Sequence, residues 1–316
     1  MPEATTYYPS LVEFGNFWYF FFLFLMAGIT VGSVLLCRKL GQKFAHRYIL
    51  CLLWGNFALH FLKQFLPTYL EWLPQGLCDS LFPNLCAWLI FFGPFIYMFG
   101  NKHFKDYLFY IGLISGVAVY LMPTGAIRHD LPALPYATET ARFYLCHLPL
   151  VVVPLVMVDQ KLHRLDWKRL WSIPLIYGLA LTFITAHVFL FGPILKFDKF
   201  PHEWIGPNGV LNRFAIADAD KQIANQSMQF GPQPSTDKIL SWIYPYLIPG
   251  LMTFHYDGVL YFTPVIWILP FIAIATCIVG PLMTLPFEHK AMKLDILAWR
   301  QKRKMRKLHA HQRDIR

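Results

Sequence analysis

Residues 16–37 read NFWYFFFLFLMAGITVGSVLLC, a run in which no side chain is charged. A helix of about 20 apolar residues is long enough to cross the hydrocarbon core of a bilayer. The leader before it contains Glu3 and Glu13 but no Lys or Arg, whereas a cleavable signal peptide has a basic leader and a shorter apolar run. This stretch is therefore predicted to be a membrane-spanning helix.

The whole chain has the composition of a membrane protein. Of its 316 residues, 56% are hydrophobic and only 15% are charged, against about a quarter charged in soluble domains. These values exclude a soluble enzyme, a fibrous protein, a disordered regulator and a secreted disulfide scaffold. Six more apolar runs follow the first, at about 48–66, 82–99, 106–122, 142–158, 171–192 and 259–285. We therefore predict an all-α, polytopic integral membrane protein with seven transmembrane helices.

Basic residues mark alternate connections between these runs. The loops at 38–47, 100–105 and 159–170 contain Arg38, Lys39, Lys43, Arg47, Lys102, Lys105, Lys161, Arg164, Lys168 and Arg169. The connections at 67–81 and 123–141 contain a single arginine between them. Because Lys and Arg are retained on the cytoplasmic side of a membrane, the N-terminus is predicted to lie outside and the C-terminus inside.

This topology divides the chain into a short outer N-terminus (1–15), a seven-helix membrane domain (16–285) and a basic inner tail (286–316). The membrane domain includes a long outer loop at 193–258, in which a short amphipathic helix is expected near 211–226. Loops of this length are usually functional or disordered.

The tail carries most of the net charge of the protein. From 287 to 316 there are ten Lys and Arg against three Asp and Glu, which supplies +7 of the total of +10. Anionic lipid attracts such a segment by about 1 kcal/mol per basic residue, so anionic lipid is its expected partner, unless the tail only sets orientation. The rest of the chain is nearly neutral, and no nucleic-acid partner is expected.

Four histidines lie at a similar depth near the predicted outer ends of their spans: His60, His147, His187 and His255. Ionisable groups at membrane depth are costly and are therefore functional candidates, although a single one is often a hydrogen-bond partner between helices. His60 also belongs to a stripe with Asn56 and Gln64 at i, i+4 and i+8, on one helix face. Because lipid cannot satisfy polar groups, this stripe is expected to line a substrate cavity or to join two helices.

Cysteine and histidine together can perform nucleophilic catalysis. Cys78 lies at the outer entrance of the third run and is followed by Asp79, which would line the same cavity and orient an imidazole or cap the helix. A thiolate attacks an ester carbonyl, an imidazole accepts the proton, and a thioester forms. Cys146 precedes His147, but successive helical side chains point about 100° apart, so Cys146 is expected to be inert. No metal or cofactor is expected, because the cysteines show no zinc-like spacing; a Cys78–Cys146 disulfide remains open.

Three segments carry a family resemblance: Leu73-Pro74-Gln75-Gly76-Leu77-Cys78-Asp79, Arg142-Phe143-Tyr144-Leu145-Cys146-His147 and Leu251-Met252-Thr253-Phe254-His255. Together with the spacing of the spans over residues 45–285, they resemble the YwaF / transmembrane protein 164 group. The animal member of that group is regarded as a cysteine-dependent phospholipid acyltransferase acting on an ether lysophospholipid. The resemblance implies that Cys78 is the nucleophile and His147 the base. This chain departs from the animal form in having Asp79 where that form has His, and in its longer segment before the last span.

The function predicted from these observations is lipid acyl transfer through a cysteine thioester at the outer leaflet, with phospholipids as substrates and no cofactor. Cys78 would be the nucleophile, His147 the base, and His187 or His255 a polarising group. Two other classes remain open. A transporter or channel would use the same histidines and needs a polar path through the inner half, whereas a non-catalytic subunit of a larger membrane complex would use 193–258 as an assembly surface.

Overall fold

Seven helices and one short hairpin make up the described part of the chain. A computed structural model describes residues 10–65, 85–123, 126, 133–195, 253–256, 259–262, 265–266 and 268–314, without the side chains of 64, 133–137, 185, 187–195, 253–262 and 307–314. The helices are α1 (Phe17–Leu40), α2 (Gln42–Leu62), α3 (Leu85–Phe99), α4 (Lys102–Leu121), α5 (Ala133–Asp159), α6 (Ser172–Leu195) and α7 (Leu269–Asp314). The strands are β1 (Thr253–Tyr256) and β2 (Val259–Phe262). The prediction of an all-α architecture is confirmed apart from this hairpin.

Length and hydropathy identify fewer spans than the sequence predicts. Within the described residues, four helical segments are long and apolar enough to cross a membrane: Phe17–Leu40, Lys102–Leu121, Thr138–Asp159 and Leu269–Arg306. Two shorter apolar helices are Leu85–Phe99 and Ser172–Ile184. Helix α2 belongs to neither group, because it begins well before the apolar run and its first two turns contain Lys43, His46 and Arg47.

The last predicted run, 259–285, contains two different elements. Its first residues form β2, which pairs antiparallel with β1 so that Thr253 lies opposite Phe262. Helix α7 begins only at Leu269. The residues Val259 to Phe262 are β-branched, aliphatic or aromatic and suit a strand, while Pro270 stands in the first helical turn, where its missing N–H costs nothing. The seventh helix therefore starts at Leu269, about ten residues after the predicted start at 259.

Caps and one glycine define the tight connections between helices. The Asn16 side chain accepts a hydrogen bond from the Tyr19 N–H at the start of α1, and Asn101 caps α4 in the same way. Gly41 alone separates α1 from α2 and adopts φ +83°, a left-handed conformation that glycine tolerates best. Helix α2 therefore turns back antiparallel beside α1.

Helices α4 and α5 approach each other closely at two glycines of α4. A Cβ atom added to Gly116 would lie 2.5 Å from the Val151 side chain, and one added to Gly112 would lie 3.3 Å from the Leu150 carbonyl oxygen. Pro154 has no N–H with which to bond that carbonyl within α5. The two glycines therefore let α4 approach the turn of α5 that Pro154 leaves without its helical hydrogen bond.

The Lys/Arg-rich loops lie together at one end of the bundle, which we call the basic end. Arg38 at the end of α1 donates hydrogen bonds to Asp159 at the end of α5. Arg169, before α6, donates to Asp106 at the start of α4. At the opposite end of the bundle, the Tyr19 hydroxyl donates to the Leu121 carbonyl. The connections that are rich in Lys and Arg in the sequence therefore lie at one end of the bundle, and the helix ends that border the other connections lie at the opposite end.

Candidate functional site

A cavity of about 560 Å³ opens at the end of the bundle opposite the basic end. It lies between the last turn of α2 and the first half of α5, and we call it the α2–α5 cavity. Its walls are Leu59, His60, Leu62, Lys63, Thr138, Ala141, Arg142, Leu145 and Cys146. The lining is mainly apolar with a few polar groups, which is the composition typical of sites for small ligands.

The Cys146 thiol and the His147 imidazole are in direct contact at this cavity. Cys146 Sγ lies 3.4 Å from His147 Nδ1. Both side chains turn toward the Phe143 carbonyl, with distances of 2.6 Å from Nδ1 and 3.2 Å from Sγ to its oxygen. Because a carbonyl oxygen can only accept, Nδ1 carries a proton in this geometry. The Cys146 thiol donates to the same oxygen, so Sγ lies beside an imidazole N–H, which would stabilise the thiolate once the thiol proton is lost.

The expectation that Cys146 points away from its neighbour is wrong. Side chains on a helix lean toward its N-terminus, and Phe143 is three residues before Cys146 and four before His147. Its carbonyl is thus within reach of both residues, and the shared acceptor brings sulfur and nitrogen together. The adjacency of Cys146 and His147 in the sequence is the feature from which this contact could have been predicted. Cys146 is also a partly exposed free thiol, and Cys78, the other half of the disulfide considered from the sequence, lies outside the described residues.

Two cations act on the sulfur from the rim of the cavity. Arg142 and Lys63 both interact electrostatically with Cys146. Arg142 also donates to Glu139, with 2.7 Å between its Nη2 and the carboxylate oxygen. Partial burial of the sulfur opposes ionisation, whereas nearby positive charge favours the thiolate. The site therefore provides the electropositive, partly accessible surroundings that reactive cysteines require.

Groups from two other helices complete the site. The Tyr120 hydroxyl of α4 is buried without a hydrogen-bond partner among the described residues, and Tyr120 interacts electrostatically with Cys146. The Cys86 side chain of α3 interacts with the His147 imidazole. An unpaired buried hydroxyl is a donor that remains available for a ligand. Neither Tyr120 nor Cys86 was singled out from the sequence, because each lies within an apolar run.

The polar stripe of α2 lies against the Cys-His pair. Asn56 and His60 are 5% and 7% exposed, and both face the bundle interior. The Asn56 amide donates to the Cys146 carbonyl across 2.8 Å, so it joins two helices. His60 lines the α2–α5 cavity itself. The two roles considered for the stripe therefore fall to different residues: Asn56 joins two helices, and His60 lines the cavity.

The remaining predicted site residues are placed only in part. Cys78 and Asp79 lie outside the described residues. Gln64 belongs to a 3-10 turn after α2, and His187 belongs to α6, with both side chains outside the described set. His255 lies in β1, where it is paired with Leu260 of β2.

Over the residues that the structure describes, fold and site define a mainly helical protein with four helices apolar enough to cross a membrane and a Cys-His pair beside an apolar cavity. No protein-family model, no curated protein and no solved structure matches this chain. The resemblance to the YwaF / transmembrane protein 164 group therefore remains a prediction from the three segments that carry it.

Proposed function

We propose that this protein is a membrane-embedded lipid acyltransferase that works through a cysteine thioester in the α2–α5 cavity. The observation that carries the proposal is the contact of 3.4 Å between Cys146 Sγ and His147 Nδ1. On this geometry Cys146 is the nucleophile and His147 the proton carrier. The resemblance assigned the first role to Cys78, and the experiment below distinguishes the two cysteines.

The reaction proceeds in two acyl transfers. The Cys146 thiolate attacks the ester carbonyl of a phospholipid, the carbon–oxygen bond breaks, and the leaving lysophospholipid oxygen takes the proton from the His147 imidazolium. The hydroxyl of an acceptor lysophospholipid then attacks the thioester while His147 takes back its proton. This step releases the thiolate and forms the new ester. The buried Tyr120 hydroxyl would donate to the oxyanion that develops in each step.

The lining of the cavity suits a phospholipid. Leu59, Leu62 and Leu145 provide apolar contact for an acyl chain, and burial of each chain CH₂ favours binding by about 0.8 kcal/mol. Arg142 and Lys63 provide cations near the rim for a phosphate group, and arginine is suited to bidentate phosphate contacts.

A transporter is less well supported by the packing of the bundle. Between Leu148 and Met157, the middle of α5 is buried among the other helices and consists of aliphatic side chains, Pro149, Pro154 and a methionine. A hydrophilic path from the α2–α5 cavity toward the basic end would have to pass this segment. Because an ion or a polar solute loses its hydration in such surroundings, the packing favours a closed site over a conduit.

For the membrane itself, we propose that the apolar helices span the bilayer with the basic end and the tail inside and the α2–α5 cavity in the outer leaflet. Anionic lipid would contact the tail. The support is the collection of Lys/Arg-rich loops at one end of the bundle, together with the positive-inside rule. In sealed right-side-out vesicles, a thiol placed at the C-terminus should react with an impermeant maleimide only after permeabilisation. Labelling of the intact vesicles would contradict the orientation.

The acyl-enzyme is the direct test of the function. Purified protein in lipid nanodiscs, given a phospholipid with a radiolabelled acyl chain, should acquire label that survives denaturation and is released by neutral hydroxylamine, as thioesters are. Wild type and Cys78→Ala should be labelled, and Cys146→Ala should not. Label on Cys146→Ala but not on Cys78→Ala would transfer the nucleophile to Cys78. Absence of label from all three would favour the non-catalytic subunit.

A further inference from the structure

A second cavity, of about 580 Å³, lies at the basic end of the bundle. One wall is the turn that follows α5, and the other is the bend of α7. Its lining comprises Val158, Asp159, Lys161, His163, Arg164, Pro286, Phe287, Glu288, His289, Lys290 and Ala291. We call it the basic-end cavity. It is formed by the opposite end of α5, the turn after it and α7, and it shares no residue with the α2–α5 cavity.

The charges on its walls leave an excess of cations. Both carboxylates are already engaged, Asp159 by Arg38 and Glu288 by Arg164. Lys161 and Lys290 are exposed and have no ion-pair partner within the described part of the chain. An anion that enters the cavity would therefore meet two ammonium groups, neither of which is paired with a carboxylate of the described residues.

The backbone at Lys161 strengthens this interpretation. Lys161 adopts φ +56° two residues after α5 ends at Asp159. The N–H groups of Leu162 and His163 there both donate to the Met157 carbonyl. This is the left-handed position after a helix that glycine usually occupies. A lysine there adopts an unfavourable backbone conformation, and its side chain is one of those that line the cavity.

A buried histidine presents an unpaired nitrogen at the same place. His163 is 7% exposed, and its Nε2 donates to Asp106 Oδ1 across 2.7 Å. Its Nδ1 has no hydrogen-bond partner among the described residues, although the ring lines the cavity. With Nε2 donating to Asp106, Nδ1 carries a lone pair and can accept a hydrogen bond from a protonated phosphate oxygen.

The bend of α7 adds backbone donors. Glu288 has non-helical angles of φ −127° and ψ 25°, two residues after Pro286. The helix therefore restarts at His289 to Ala291, three residues that line the cavity. The first N–H groups of a helical segment lack intrahelical acceptors and favour anions.

We propose that the basic-end cavity binds a phosphate group, supplied either by the headgroup of an anionic phospholipid or by a free phosphate. One space of suitable size is lined by the residues that carry these groups: Lys161 and Lys290 with their ammonium groups, His163 with its Nδ1, and the start of the restarted helix. The site is independent of the acyltransferase proposal, because it lies at the other end of the bundle.

Binding to the full-length protein in detergent tests this site. The probes are inorganic phosphate, dihexanoyl phosphatidic acid and, as the zwitterionic comparison, dihexanoyl phosphatidylcholine, each titrated by isothermal calorimetry. The test variant is the double substitution Lys161→Asn and Lys290→Gln, since asparagine tolerates the left-handed conformation. The control is Lys43→Gln with Lys102→Gln, which removes the same charge from exposed positions on α2 and α4 outside the cavity lining and outside the tail.

We expect phosphatidic acid to bind at least tenfold more tightly than phosphatidylcholine, and the test variant to lose at least tenfold in affinity while the control retains it. Binding of inorganic phosphate with the same dependence would show that the phosphate alone is recognised. Binding of phosphatidic acid only would show that the whole headgroup is required. The proposal would be overturned by wild-type affinity in the test variant, by an equal loss in the control, or by binding of neither anionic probe.

Discussion

Cys146→Ala is expected to abolish acyl transfer from a labelled phospholipid to a lysophospholipid, with a loss of at least about 10²-fold, the lower end of what general-base help contributes. The substitution removes the atom that lies 3.4 Å from His147 Nδ1, and no thioester can form without it. The folded protein should remain intact, because deletion of one small, partly exposed group costs about 1 kcal/mol or less. Initial rates in nanodiscs and the thermal unfolding midpoint measure the two effects separately.

His147→Gln is the companion variant, because a Gln amide can still donate to the Phe143 carbonyl but cannot carry the transferred proton. It should lose about 10²–10⁴-fold in rate. Cys51→Ala is the matched control, since Cys51 is an exposed thiol on α2 outside the cavity lining. A Cys146→Ala protein as active as Cys51→Ala would remove Cys146 from the mechanism.

The apolar runs predict the helices well where hydropathy and helical structure coincide. The first run, 16–37, corresponds to the helix Phe17–Leu40, bounded by the Asn16 cap and by Gly41. Hydropathy does not detect polar helical turns, so α5 begins at Ala133 rather than at 142. It also cannot separate a short apolar strand from a helix, and for that reason β2 was included in the last run.

The α2–α5 cavity and its Cys-His pair contain some residues that the sequence singled out and others that it did not. His147, His60 and Asn56 could be found because a polar side chain in an apolar run must face other protein. Cys146 could not be found by that reasoning, because a thiol is compatible with an apolar run. Its role depends on the Phe143 carbonyl, a backbone group that residue types do not reveal.

Asp106 was also overlooked, although it is fully buried at the start of α4. It marked only the boundary of an apolar run in the sequence. In the structure its carboxylate accepts hydrogen bonds from both His163 and Arg169. Burial lowers the pKa of Arg169, but the hydrogen bond and attraction of Asp106 outweigh this effect, and the pKa is raised. The three side chains therefore join the start of α4 to the loop between α5 and α6.

Asp106→Ala should accordingly lower the free energy of unfolding by about 3–5 kcal/mol, the usual cost of removing one partner of a buried ion pair. Arg169 would keep its charge with only 17% of its side chain exposed, and the carboxylate left to it, Asp166, is farther away at 3.6 Å and is 37% exposed. Reversible denaturant unfolding in mixed micelles, followed by tryptophan fluorescence, would measure the change.

Asp295→Ala is the comparison that separates burial from charge. Asp295 also pairs with a basic residue, Lys168, but the two side chains are 31% and 55% exposed, and solvent-exposed pairs contribute about 0–1 kcal/mol. The same substitution should therefore cost several times less at Asp295 than at Asp106. Equal losses at the two positions would mean that water reaches Asp106, and that the carboxylate stabilises the basic end no more than an exposed ion pair does.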